Sequence, residues 1–193
     1  MPCHPVHRTK AQAKGVKVYA NDVPYKAGLP AIPGFSSTSL TGTDQSGYAR
    51  AKYVAETPDR FDVIIVDSTD PMGPGEVLFT ETFYKNCRRC LNEGGVLVNQ
   101  NGVPFMQPDE LPMTWKRRRK FFKDTGFYMA AVPSYYGGFM TLGWAATSPK
   151  TRDATLATLT KRYAAAKLKT RYYTPAIHKA SFALPAFVGK LFG

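Results

Sequence analysis

The sequence predicts an α/β fold on a mostly parallel sheet with an antiparallel edge, and three observations carry that expectation. Residues 61–67, FDVIIVD, form a continuous apolar run rich in β-branched residues, the pattern of a strand covered on both faces. A Pro/Gly-rich loop, a helical pattern and a Gly-Gly stop lead from it to a second such run, VLVNQ at 96–100, making one βαβ unit with a right-handed crossover. Two more runs, FYMAAV at 127–132 and FMTLGWAA at 139–146, are separated only by the turn region PSYYGG, so they are expected to pair antiparallel at the sheet edge.

Taken in chain order, residues 1–50 show the least pattern. Gly, Pro, Ser and Thr are scattered through them without a period, and GVKVYA alone looks briefly strand-like. They are read as an irregular segment, with residues 51–193 as the folded domain. Beyond the first strand, residues 79–91 have apolar and aromatic residues at helical spacing, and Asn92-Glu93-Gly94-Gly95 is the expected stop. A helix is expected around 109–124 and another near 152–167. The tail KTRYYTPAIHKASFALPAFVGKLFG is read as a helix broken by proline.

A composition 44% apolar and 13% aromatic belongs to a globular chain. No run of about 18 uncharged apolar residues occurs and no apolar segment follows the basic start, so neither a membrane span nor a secretory leader is expected and a cytoplasmic location follows. Three cysteines, Cys3, Cys87 and Cys90, make no disulfide framework. Cys87 and Cys90 sit in a helical pattern, and neither they nor Cys3 with His4 and His7 complete a tetrahedral set, so no metal is expected. The formal charge of +12 raises the question of a nucleic-acid partner. Its densest run, KRRRK at 116–120, reads as the solvated face of a helix whose apolar side is Trp115, Phe121 and Phe122, and nucleic acid is not the expected partner.

Chemistry is expected where parallel strands end and the chain leaves the sheet in loops. Asp67 stands there, and Asp70 follows three residues later in a loop held by prolines. An aspartate at a strand end can simply cap the loop after it. Two so close, inside a basic protein, make a focused negative potential that attracts a cation. Glu76 is read as a solvated or helix-start residue.

The string DSTDPMGPGEVLFT, followed in order by QNGVPF at 100–105, VPSYYGG at 132–138 and the tail RYYTPAIHKASFALP, resembles the polyamine aminopropyltransferases, specifically the bacterial spermidine synthases. The resemblance covers roughly Ala51 to the C-terminus. It implies a Rossmann-like doubly wound sheet of the class I methyltransferase type. It also implies transfer of the aminopropyl group of decarboxylated S-adenosylmethionine to putrescine, with that nucleoside as co-substrate, no separate cofactor and homo-oligomers in the full-length family. Residue by residue, it makes Asp67 the proton acceptor, Asp70 an amine-binding carboxylate, Pro74 a contact of the nucleoside, and Gln100 and Tyr135 the lining of the amine channel.

The likeness stops abruptly upstream. The family carries a Gly-rich loop after its first strand and an acidic residue ending its second, and residues 1–50 contain neither; the family's Asp-Gly-Ala falls on Ala49-Arg50-Ala51. A β-rich N-terminal domain is not found either. A truncated or frame-shifted reading of a longer gene is therefore expected, with the first strand's edge left unpaired, decarboxylated S-adenosylmethionine bound poorly and little transfer by this polypeptide alone. Two other readings remain: a class I methyltransferase fragment, against which the acidic loop argues, and a non-enzymatic basic binding protein on the same scaffold.

Overall fold

The computed structural model describes residues 18–21, 47–68, 70–134 and 137–192, with the backbone alone for 18–21, Ala49 and Pro74. Strand β1 is Val18–Asn21 and helix α1 is Gly47–Glu56. The apolar run forms β2, Phe61–Val66, followed by a 3-10 helix at Gly73–Phe79 and helix α2, Glu81–Cys90. Strand β3 is Leu91–Gln100 and helix α3 is Glu110–Arg118. The antiparallel pair is β4, Asp124–Ala131, and β5, Phe139–Ala146. Helices α4, Leu156–Ala166, α5, Pro175–Ser181, and α6, Ala186–Gly189, complete the chain with a last 3-10 turn at Lys190–Phe192.

The sheet order is β1-β2-β3-β5-β4. β1 and β3 flank β2 in parallel, and β5 inserts antiparallel between β3 and β4. This is the mixed α/β sheet that the sequence predicts.

Two expectations about the first half need correction. The edge of β2 is not left unpaired: Val18 to Asn21 lie in register with Val63 to Val66, so the segment before residue 51 contributes a strand and the first turn of α1. The physical reason is local, since the strand-like VYA of GVKVYA meets a ladder edge whose N–H and C=O groups would otherwise be unpaired. The helix after β2 also starts later and stops earlier than its periodicity suggests. Thr80 Oγ1 accepts the Phe83 N–H at 3.2 Å and caps α2, leaving Phe79 in the 3-10 helix before it. The helix ends at Cys90, and Asn92-Glu93-Gly94-Gly95 forms the irregular opening of β3, where the register slips between Phe61 and Val63 and Gly94 takes a φ of +78°.

Packing explains why these elements assemble. Ile64 and Val66 of β2 and Leu97 of β3 are buried with Phe83, Tyr84, Cys87 and Cys90 of α2 and Val54 of α1. Arg89 fastens the two helices by donating to the carbonyls of Val54 at 2.7 Å, Ala55 at 3.1 Å and Thr57 at 3.0 Å, which the end of α1 leaves without helical partners. A second cluster, Leu111, Phe127 and Val188 with Trp115 and Phe192, joins α3, β4 and the C-terminal turns.

The third helix departs most from expectation. It ends at Arg118, and Arg118 is wholly buried. Arg117 donates to the Phe79 carbonyl at 2.8 Å, and Lys120 pairs with Glu81. The basic run at 116–120 is therefore not the uniform solvated face that its charge suggests; part of it is internal structure.

Candidate active site

Asp67 is the first residue beyond β2, exposed where the chain leaves the sheet. Because Val66 is in register with Asn99, Asp67 and Gln100 stand one step further along adjacent parallel strands, about 5 Å apart in the strand-to-strand direction. Asp70 follows, half-buried, and its carbonyl accepts the Met72 N–H at 2.7 Å in a tight turn. Gly73, at φ +57°, then swings the chain into the 3-10 helix. Asp67 and Gln100 therefore stand on adjacent strands at the carboxyl end of the parallel pair, with Asp70 three residues further along the loop from Asp67. Tyr135 lies outside the described residues, as do Cys3, His4 and His7, and so does the side chain of Pro74.

Beneath this edge lies a buried polar network. Asn99 Nδ2 donates to the Gln100 carbonyl at 3.0 Å and to Asn101 Oδ1 at 2.8 Å. Asn101 Nδ2 donates to Glu110 Oε1 at 3.0 Å and Thr114 Oγ1 at 2.9 Å. Arg118 Nη1 closes the network on Asn99 Oδ1 at 3.0 Å and Asn101 Oδ1 at 2.8 Å, with its guanidinium 4.7 Å from the centre of the Phe127 ring. Thr141 pins the turn after β3, its Oγ1 donating to the carbonyls of Asn101 at 2.6 Å and Gly102 at 3.0 Å.

Burial pushes the Glu110 carboxyl up to about 7, and the charge of Asp70 pushes the same way against the Asn101 hydrogen bond and Arg118. Burial lowers Arg118 from the usual guanidinium range and raises the phenol of Tyr84 to about 12. Among the described residues no group of three or more His, Cys, Asp and Glu is placed to hold a metal.

Glu110, Asn101 and Arg118 were not singled out by the sequence reading. One signal was present: Glu110, Thr114 and Arg118 recur at i, i+4, i+8, a polar stripe along one face of α3. An apolar cavity of about 560 Å³ also opens nearby, lined by Val103, Phe105, Met129, Phe139, Ile177 and Phe187. Neither Asp67, Asp70 nor Gln100 lines it, and among the described residues its walls carry no charged side chain.

Residues 48–154 match the family model described as the spermine/spermidine synthase domain. The polyamine aminopropyltransferase of Ruegeria sp. (strain TM1040) is 57% identical over 142 residues, covering 74% of this chain and 50% of the relative. Polyamine aminopropyltransferase 1 of Pseudomonas aeruginosa is 54% identical over 142 residues, with the same coverage of 74% and 50%. This chain spans about half the length of the curated relatives it matches. Among solved structures, a spermidine synthase in complex with the transition-state analogue AdoDATO superposes with a TM-score of 0.67 at 34% identity, covering 74% of this chain and 48% of the other. Spermidine synthase from Thermotoga maritima gives 0.64 at 33%, covering 74% and 47%.

Proposed function

The chain belongs to the spermine/spermidine synthase domain family, and from that premise we propose that it carries the amine half of an aminopropyltransferase site, moving the aminopropyl group of decarboxylated S-adenosylmethionine to putrescine. The observation that supports this reading is that Asp67 and Gln100 end adjacent strands β2 and β3, with Asp70 in the loop that follows Asp67, inside the segment that matches the family. Putrescine is a dication near neutrality, and a protonated amine has no lone pair. Asp67 accepts a proton from the attacking ammonium, directly or through water. The freed nitrogen lone pair then forms a bond to the carbon next to the sulfonium; the carbon–sulfur bond breaks, its electrons neutralise the sulfur, and methylthioadenosine leaves.

Asp70 holds the amine in line for that attack, and Gln100 orients it through its amide oxygen. Tyr135 and Pro74 complete the amine channel and the nucleoside contact in this reading. The nucleoside is a co-substrate, so no bound cofactor is invoked. Assembly as a homo-oligomer with the remainder of a full-length enzyme, and a cytoplasmic setting, belong to the same proposal.

The test is putrescine binding to the 193-residue chain by calorimetry, joined to chromatographic detection of methylthioadenosine. Putrescine is expected to bind, and Asp67→Asn is expected to lower the rate of any transfer by roughly 10²- to 10⁴-fold, the usual worth of a general base. A chain that binds no putrescine, or that transfers methyl and forms no aminopropyl product, overturns the reading.

A further inference from the structure

Glu110 opens α3 and is bonded to the loop that follows β3, and it is 6% exposed. Through Oε1 it is bonded to Asn101, and Asn101 is linked through Asn99 to the carbonyl of Gln100. Its other oxygen, Oε2, is buried without a hydrogen-bond partner among the described residues. That oxygen packs under Gly102, where a Cβ would come within 3.1 Å of it. Asp70 lies near enough for its charge to oppose ionisation of Glu110.

The groups facing Glu110 come from several elements. Asp70 belongs to the loop after β2, Arg118 to the far end of α3 and Tyr84 to α2, the last neutral up to about 12. Asn101, Gln107 and Thr114 are neutral. Arg118 compensates only in part, because its Nη1 is already committed to Asn99 and Asn101. Two neighbouring carboxylates, one of them sealed from water, resist being charged together near neutrality. A dication arriving beside Asp70 reverses that balance, since its attraction for both carboxylates outweighs their mutual repulsion.

Resting on the amine-site reading above, we propose that Glu110 is a positioning residue for the diamine, protonated when the Asp67/Asp70 loop is empty and ionised when the dication occupies it, so that amine binding expels a proton to solvent. The bond broken is the O–H of the Glu110 carboxyl, its electrons stay on the carboxylate, and the proton leaves to buffer. The consequence is selectivity. A ligand must bring enough positive charge to ionise Glu110, so a diamine is favoured over a monoamine of the same length.

The experiment titrates putrescine into the full chain in two buffers of different ionisation enthalpy at about pH 7, which counts the protons released on binding. The wild type is expected to release a substantial fraction of one proton, with amine affinity rising about tenfold from pH 6 to 8. In Glu110→Gln, which keeps an acceptor for Asn101, the release is expected to vanish and the affinity to become flat with pH. A ¹³C carboxyl titration of Glu110 with and without putrescine reads the same event directly. Equal proton release and equal pH dependence in the two proteins overturn this inference while leaving the amine site standing. Failure of the wild type to bind putrescine removes the amine-site reading and this inference with it.

Discussion

The guanidinium of Arg118 lies against the bare backbone of Gly143: a Cβ there would meet Nη1 of Arg118 and Oδ1 of Asn101 far inside van der Waals contact, and Oδ1 of Asn99 at 2.6 Å. Glycine at this point of β5 is thus a condition for the buried network under the ends of β2 and β3. The network in turn holds the carbonyl of Gln100.

Gly143→Ala should therefore destabilise the fold by about 1–3 kcal/mol, the cost of overpacking a filled interior. Denaturant unfolding checks this. The comparison is Gly189→Ala, where a Cβ meets nothing within 4 Å and stability should change by less than about 0.5 kcal/mol. Equal effects of the two changes would show that the network has room to yield.

Stability should also depend on pH through Glu110. Its carboxyl ionises near 4.5 in the unfolded chain and at about 7 in the fold. Below the lower value both states hold the proton and nothing is lost. As pH rises towards 7 the unfolded chain releases the proton while the fold retains it, so this group's contribution falls by roughly 3 kcal/mol across that window. Urea midpoints at about pH 5 and pH 8 in the wild type and in Glu110→Gln isolate the effect, since the other carboxylates are common to both. The variant should lose less stability over that range, and parallel curves would count against the shift.

Cys87 and Cys90 should be inert in the native protein. Both side chains are buried, burial raises both thiols, and Cys90 donates to the Val54 carbonyl at 3.2 Å. Alkylation followed by peptide mapping should find both unmodified until denaturant is added. Rapid labelling of either in the folded chain would reopen a redox role for the pair.

Asp67 and Asp70 should separate kinetically if one moves a proton and the other holds the amine. Asp70→Asn is expected to raise KM for putrescine more than it lowers kcat, with Asp67→Asn doing the reverse. Identical changes in both parameters would mean that the two carboxylates share one role.

Much of this architecture is legible in the residues alone. The apolar run of FDVIIVD reads as an inner strand and β2 is one, flanked by β1 and β3, although Ile65 stays exposed, so the strand is not covered on both faces as expected; Asp67 and Asp70 follow it into the loop. The βαβ unit and the antiparallel pairing of the runs at 127–132 and 139–146 come from periodicity and turn residues, which are local properties, although β4 itself begins at Asp124, a residue expected to end the helix before it. The errors came where a local pattern competed with a distant partner. The VYAN strand looked isolated until β2 supplied its ladder, and Asn92 to Gly95 read as a helix stop although Leu91 already pairs with Phe61.

KRRRK shows the limit most plainly. Its charge alone places it in water, and for Lys120, salt-bridged to Glu81, that holds; but Arg118 is drawn wholly inside. That burial is tolerable only because Asn99, Asn101 and Phe127 arrive from β3, the following loop and β4 to meet the guanidinium, while Gly143 leaves the space. Sequence by itself determined the strands, the acidic loop at the end of β2 and the family they resemble, because those rest on short-range periodicity and motif order. Only the tertiary structure decided that Glu110 is buried, with one oxygen lacking a hydrogen-bond partner among the described residues and the charge of Asp70 opposing its ionisation, because burial and charge coupling are set by what the rest of the chain brings alongside.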